Sequence, residues 1–337
     1  MRGITAAVQI IRGYAAIPEG LGPVVMTIGT YDGLHLGHRA IIERVVTHAR
    51  REGVPALVYS FYPPPWRLLG KGEYPFLILT LADKIELLRD LGVDILVTEE
   101  FTPDLRALSH IEFADRVLRD RMRPREIHVG YDFGFGKGRQ GDWRFLAEHL
   151  GSEVTVRPHG AVRLDGDIIG CRLIRQHVCE GRVQHAAELL GRRHKVRGTV
   201  THGDERGRTI GFPTANVHPE TELVPKAGVY AVTMRLPGSE DELAGIANVG
   251  VRPTFGGDSH TRLEVHLFDW DGDIYGAEVV VSFAFRVRDE MKFSGVDALV
   301  AQIHQDVAAV RGQVPWPQGA DSSERLTWDP KPDVEEA

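Results

Sequence analysis

The sequence predicts two folds in series: an α/β domain built on a parallel sheet, then a small antiparallel β-barrel. Three observations predict it. Over residues 24–158, short apolar or β-branched runs alternate with amphipathic helical stretches, the pattern of a parallel sheet with helices on both faces. After about residue 190, period-2 strands joined by Gly- and Asp-rich turns take over. The 337 residues are also enough for two domains, each with its own core.

In the first domain, residues 24–28, 56–61, 94–98, 126–129 and 153–156 read as strands, and 38–51, 81–91, 111–121 and 143–150 as helices. In the helix at 81–91, Leu87, Leu88 and Leu91 form one apolar stripe with Lys84 at its edge. Ligands of such a sheet gather at the carboxyl ends of its strands. Segments 172–179 and 183–190 read as two short helices bridging the domains. The barrel strands are expected at 195–201, 228–236, 243–249, 262–268 and 277–285. Leu263, Val265 and Leu267 alternate there with Glu264, His266 and Phe268. Residues 296–311 form a helix against or beside the barrel. Residues 314–337 carry four prolines and many acids, and read as a loose tail. The expected domains are therefore 1–190 and 191–313, with a tail at 314–337. No internal repeat is present.

Composition narrows the function. An apolar share of 42% and a charged share of 26% are those of an ordinary soluble globular protein. The net charge of −7 argues against a general nucleic-acid binder. The two cysteines, Cys171 and Cys179, lack the spacing of a zinc framework and fit a reducing compartment. No run has the length of a membrane span, and the N-terminus lacks the pattern of a secretory leader. The expectation is a cytoplasmic protein whose partners are small molecules, not nucleic acid or membrane. The oligomeric state is left open.

Two motifs carry chemistry. The first is Gly29-Thr30-Tyr31-Asp32-Gly33-Leu34-His35-Leu36-Gly37-His38, between an apolar strand and a helix. Unpaired N–H groups at a helix start, with the helix dipole, favour an anion. Gly29, Gly33 and Gly37 let the backbone approach a nucleotide closely, and His35 and His38 can donate to phosphate oxygens. A phosphate nucleophile is already ionised, so nucleotidyl transfer needs positioning and charge stabilisation more than a base.

The second motif begins at Gly198 and ends in Gly211-Phe212-Pro213-Thr214-Ala215-Asn216. Gly198, Gly203, Gly207 and Gly211 allow a loop to wrap phosphates with backbone N–H groups, and Arg208 adds positive charge. Thr214 and Asn216 lie two apart, so both side chains share one face of an extended segment. A hydroxyl and an amide oxygen are hard ligands suited to Mg²⁺ held jointly with ATP. No Gly-Lys-Ser/Thr follows, so this is not a Walker loop. Phosphorylating an alcohol also calls for a base, and Glu264 is the candidate. Strand position alone reads Glu264 as one more exposed carboxylate.

The first motif resembles the signature of the His-x-Gly-His nucleotidyltransferases. Its fuller form looks like the FMN adenylyltransferase half of prokaryotic bifunctional riboflavin kinase/FAD synthetases. Phe101-Thr102, Phe113 and the glycine-aromatic loop Gly130-Tyr131-Asp132-Phe133-Gly134-Phe135-Gly136-Lys137 agree with it. The resemblance implies a Rossmann-like fold and transfer of AMP from ATP to FMN with release of pyrophosphate. It gives His35, His38 and Arg175 catalytic roles, Gly29, Asp32, Gly33 and Gly37 nucleotide contacts, and Asp132, Phe133 and Phe135 flavin contacts.

The second half resembles riboflavin kinase throughout 195–311: the Gly-Phe-Pro-Thr-Ala-Asn box, Gly228-Val229-Tyr230, Asn248-Val249-Gly250, Glu264-Val265-His266, Asp273-Ile274-Tyr275-Gly276 and Arg288-Asp289-Glu290-Met291-Lys292-Phe293. By that resemblance Thr214 and Asn216 bind Mg²⁺-ATP, Glu264 activates the ribityl 5′-hydroxyl, and Arg288 and Phe293 border the flavin.

Two departures stand in the first half. Phe61-Tyr62-Pro63-Pro64-Pro65 lacks the histidine of the family's Phe-Asp-Pro-His-Pro. Gly170-Cys171-Arg172, followed by Arg175, replaces a Ser-Ser-Thr run, so hydroxyl donors are lost and a cation is gained. Losing one well-placed donor costs about 3–4 kcal/mol of transition-state stabilisation. Full bifunctionality is the leading expectation. A kinase whose first half is degenerate, or retuned to another nucleotide or phosphorylated acceptor, is the alternative. A non-catalytic flavin or nucleotide regulator is the remote one.

Overall fold

Residues 24–28 are apolar at all but one position, and every one of them is buried. A strand buried on both faces belongs inside a parallel sheet covered by helices. The computed structural model describes residues 7–70, 76–203, 210–253, 259–313 and 325–329. Contacts divide the chain into two units, 1–75 with 81–169 and 325–337, and 76–80 with 170–324.

The first unit holds β1 (Gln9–Arg12), β2 (Val24–Gly29), β3 (Ala56–Phe61), β4 (Ile95–Glu99), β5 (Pro124–Gly130) and β6 (Thr155–His159). They form one parallel sheet in the order β1-β4-β3-β2-β5-β6. From β2 the chain crosses to β3 and then β4 on one side, while β5 and β6 lie on the other. The order reverses at β2, which places the ligand crevice at its carboxyl end. The helix Leu36–Glu52 starts there and stops at Gly53, whose φ of 65° is left-handed. Leu81–Asp90 and Trp143–Leu150 are helical as expected. Phe113–Met122, expected as an ordinary helix, is a π-helix, and Arg123 N–H closes it on Leu118 O. The edge strand β1 was not expected. β7 (Val162–Leu164) and β8 (Asp167–Ile168) form a hairpin.

The second unit includes the helices Cys171–Cys179 and Val183–Leu190. Val183 is buried in the same core as the barrel residues Val196, Val232 and Phe283. The barrel strands are β9 (His194–Thr201), β10 (Ala215–Pro219), β11 (Gly228–Arg235), β12 (Glu242–Pro253), β13 (Ser259–Leu267) and β14 (Glu278–Arg288). They close in the order β10-β13-β12-β11-β14-β9, every neighbour antiparallel. Leu263, Val265 and Leu267 fill the interior, which turns Glu264 and His266 to the outer face. The helix Val296–Arg311 packs on that outer face, with Val310 against Val229, Ala231 and Ile246.

The chain then returns to the first unit. β15 (Leu326–Trp328), within the segment expected to be loose, pairs antiparallel with β7.

Candidate active site

The carboxyl ends of β2 and β5 lie side by side, with Thr27 opposite His128. The turn from Gly29 to His38 leaves β2 there. Tyr31 and Leu34 take left-handed conformations, φ 44° and 41°, which non-glycine residues hold only when their surroundings fix them. Tyr31 folds back so that its hydroxyl bonds Thr27 Oγ1, and burial holds the phenol well above its usual range. A side chain at Gly29 would come within 2.9 Å of the Tyr31 ring, so this turn needs a glycine. His35 caps the helix: its Nδ1 accepts from His38 N at 3.3 Å. The two imidazoles stack at 3.6 Å with 22° between planes. A Cβ at Gly37 would sit 3.3 Å from the His35 ring. Asp32 and Gly33 are buried in the turn.

Lys84 was expected at the edge of an apolar stripe. Instead it is 1% exposed, and its Nζ donates to Thr30 O at 2.8 Å and to Ser60 Oγ at 3.1 Å. Ser60 Oγ also donates to Thr30 O, at 2.9 Å. A carbonyl of the turn is thus held by two side chains from other elements. Lys84, Leu88 and Leu91 are at i, i+4 and i+7, so the lysine sits on the stripe itself, a signal present in the sequence.

The glycine-aromatic loop leaves β5 next to this turn. Tyr131 and Asp132 are exposed, and Arg139 closes the loop by donating to Asp132 O at 2.7 Å. Phe135 is buried against Phe113 and Phe145, and Phe133 stacks on it at 5.3 Å. Phe135 therefore anchors the loop in the core.

Below the turn lies a cluster of titratable groups. The ligand atoms of His48, Glu126 and His128 fall within 4.8 Å of one another, close enough for a cation. Proton bookkeeping accounts for the cluster without one. Arg44 can only donate, so His159 Nδ1, 2.6 Å away, must accept. His159 Nε2 then carries the proton toward His128 Nδ1 at 2.8 Å. That leaves the proton of a neutral His128 on Nε2, 2.7 Å from Glu126 Oε1. Glu126 also receives His48 Nδ1 at 2.6 Å and Arg157 Nε at 2.5 Å. Burial pushes His128 down to about 4, against the pull of Glu126. Burial raises Glu126, but the bonds from Arg157 and His48 outweigh it and hold the carboxyl below its ordinary value.

In the barrel, strand register assembles the second site. Asn216 on β10 is opposite Glu264 on β13, and Glu264 is opposite Asn248 on β12. One row across three strands therefore holds an amide, a carboxylate and an amide on the outer face. Arg262 pairs with Glu264 at 2.5 Å. Thr214 is half-buried just before β10. A Cβ at Gly203 would fall 2.1 Å from Asn216 Nδ2, so a bare backbone there lets the amide lie flat. At Gly198 a Cβ would meet His218 O at 2.3 Å, so barrel packing itself requires that glycine. Gly211 turns with φ 86°. Gly207 and Arg208 lie outside the described residues. Asn248 is the residue of this row that the sequence reading did not assign to the site. Its signal was the shared strand register, which a linear motif does not display.

The FAD synthetase family model matches residues 18–170, and the riboflavin kinase model matches 190–314. A bifunctional riboflavin kinase/FMN adenylyltransferase from Pseudomonas fluorescens is 39% identical over 306 residues, 90% of this chain and 97% of that protein. The chain belongs to the bifunctional riboflavin kinase/FMN adenylyltransferase family. The Escherichia coli K12 member is 37% identical over 293 residues, 85% of this chain and 91% of that protein. A crystal structure described as a macrolide-efflux protein from Streptococcus pneumoniae superposes with a TM-score of 0.80 at 31% identity, covering 91% of this chain and 99% of that one. Among the described residues, no helix is long and apolar enough to cross a membrane.

Within this family frame, the FAD synthetase segment contains the His35/His38 turn and the 130–142 loop, which leave the adjacent strands β2 and β5. The riboflavin kinase segment contains Thr214, Asn216 and Glu264, of which strand register pairs Asn216 with Glu264. Arg175 lies in the second unit, on helix Cys171–Cys179, buried and with Nε donating to Phe76 O at 2.8 Å. Gly170 caps that helix without a side-chain bond. Arg288 is gripped by Asp306 of the helix Val296–Arg311 at 2.7–3.1 Å, and its guanidinium lies 5.8 Å over Phe293.

Proposed function

We propose that residues 191–313 phosphorylate riboflavin to FMN with ATP, and that residues 1–190 adenylylate FMN to FAD with release of pyrophosphate. The observation that carries the reading is the Asn216–Glu264–Asn248 row beside Thr214, on the outer face of the barrel.

In the kinase step the ribityl 5′-hydroxyl oxygen attacks the γ-phosphorus, its proton passes to the Glu264 carboxylate, and ADP leaves. Arg262 steadies that carboxylate through its ion pair. Thr214 and Asn216 are hard oxygen donors on one side of the site, a set that fits Mg²⁺. Bound with ATP, the ion would neutralise phosphate charge. Glu264 then orients the hydroxyl, and Gly203 leaves room for the Asn216 amide. In the adenylylation step an FMN phosphate oxygen, already ionised, attacks the α-phosphorus of ATP. His35, His38 and the helix N-terminus they occupy support the charge that develops toward pyrophosphate. Both cysteines are free thiols, which fits a cytoplasmic setting.

Purified protein given riboflavin, ATP and Mg²⁺ should yield FMN and then FAD. FMN supplied with ATP, CTP or GTP should form a dinucleotide with ATP. Absence of FMN in the first assay would remove the kinase assignment. A product with CTP or GTP alone would favour a retuned first site.

A further inference from the structure

The kinase box has a break in its scaffolding. β10 begins at Ala215, so the ladder with β13 stops at the pair Ala215–Val265. Thr214 lies before that point. Backbone pairing alone therefore leaves the Pro213–Thr214 peptide plane unsupported, although Thr214 is the residue whose hydroxyl the site uses.

A side chain takes over where the ladder ends. His266 lies two residues beyond Glu264 on β13, on the same outer face. Its Nδ1 lies 2.8 Å from Pro213 O. A carbonyl only accepts, so Nδ1 carries the proton. That carbonyl shares its plane with the Thr214 nitrogen, so fixing the oxygen fixes the direction in which Thr214 leaves. The preceding Phe212 is buried, edge-on to the His266 ring at 5.3 Å and to His304 at 4.9 Å.

We infer that His266 is a positioning residue of the kinase site: its Nδ1–H···O bond to Pro213 sets Thr214 in register with Asn216 and Glu264 for Mg²⁺-ATP. This inference rests on the kinase reading above. His266 does not take the substrate proton; that is the work of Glu264. Nδ1 is protonated in both the imidazolium and the neutral tautomer that makes the bond, so the contact does not depend on the charge of the ring.

The test is steady-state FMN formation by the full chain carrying His266→Phe or His266→Asn. Phenylalanine keeps the aromatic ring and loses the donor. Asparagine loses the ring and keeps an N–H donor near the Nδ1 position. His266→Phe should raise KM for Mg²⁺-ATP about tenfold, the weight of one hydrogen bond, with a smaller change in kcat. His266→Asn should recover most of that loss. FAD formation from supplied FMN should stay at the wild-type rate in both, which certifies the fold of the other unit. Wild-type KM in His266→Phe, or an equal defect in both variants, would overturn the inference. If His266→Phe fails to fold its barrel, His266→Asn decides alone: KM near wild type supports the bond, and a tenfold rise overturns it. Wild-type protein that forms no FMN would remove the kinase reading, and this inference with it.

Discussion

Glu264 and His38 belong to different units, so each residue should report on one reaction. Glu264→Gln removes the base and keeps the shape. FMN formation should fall about 10²–10⁴-fold, while FAD formation from supplied FMN persists. His38→Ala should do the reverse. Loss of both reactions in a folded variant would contradict two separate sites. At this scale the sequence displays the candidate groups, because hydroxyl, amide, carboxylate and imidazole announce their chemistry by type and spacing. It concealed the groups that hold them. Lys84 and His266 reach the carbonyls of Thr30 and Pro213, 54 and 53 residues away. Such bonds exist only once distant elements have packed. The His128 chain was hidden for the same reason, and it makes a pH prediction. Folding lowers His128 from 6.5 to about 4, so between those values the unfolded chain binds a proton that the native protein refuses. Stability from this group is complete above pH 6.5 and is lost as pH falls toward 4, by about 3 kcal/mol in all. Glu126, held below its ordinary value, works in the same direction at the acid end. Thermal unfolding of the first unit should therefore drop in temperature from pH 7 to pH 5. His128→Gln should flatten that slope, and an unchanged slope would refute the assignment.

Elements were legible where they repeat a period. Ala56–Phe61, Trp143–Leu150, Val183–Leu190 and Val296–Arg311 have the bounds expected from their apolar patterns. Those missed are short or flat. β1 is four residues at a sheet edge, and β10 buries one apolar side chain, Val217, before ending in a proline. Register was equally invisible, yet register is what sets Asn216, Glu264 and Asn248 in a row. Two glycines separate a requirement of the fold from a requirement of the site. A methyl group at Gly198 would strike the His218 carbonyl, which is fixed in the β9–β10 ladder. Gly198→Ala should therefore lower the melting temperature of the barrel. At Gly203 the clash is with the Asn216 amide, a side chain that can rotate away. Gly203→Ala should leave the melting temperature near wild type and cut FMN formation at least tenfold by displacing Asn216, an effect like the loss of a polar contact of about 1.5 kcal/mol. A barrel that melts early in Gly203→Ala would place that glycine with Gly198.

At the scale of the whole molecule, the chain ends on the unit where it began. The riboflavin kinase match stops at residue 314, yet residues 325–329 continue past it to add β15 to the hairpin of β7 and β8. Three kinds of contact hold that strand. Asp329 N–H donates to Ala161 O at 2.9 Å, and the Asp329 carboxylate accepts from Arg163 Nε and Nη2 at 2.7 and 3.2 Å. The Trp328 ring lies 4.3 Å from the Arg44 guanidinium, the same group that starts the histidine chain to Glu126. β7 in turn borders the turn from Gly29 to His38, since a Cβ at Gly37 would lie 3.6 Å from Val162. A sequence of prolines and acids gives no sign of this docking, because three strand residues carry no period. A chain terminated after residue 324 tests it, since each unit has its own core and its own reaction. At a partly exposed site the Trp328–Arg44 contact is worth about 0.5–1 kcal/mol, and the lost ladder adds to it. FAD formation from FMN should then be lost at a temperature a few degrees lower than in the full chain. The temperature at which FMN formation is lost should not move, because the described partners of that strand, β7, Ala161, Arg163 and Arg44, belong to the first unit. Equal shifts in both reactions would show that the terminal strand stabilises the two units together.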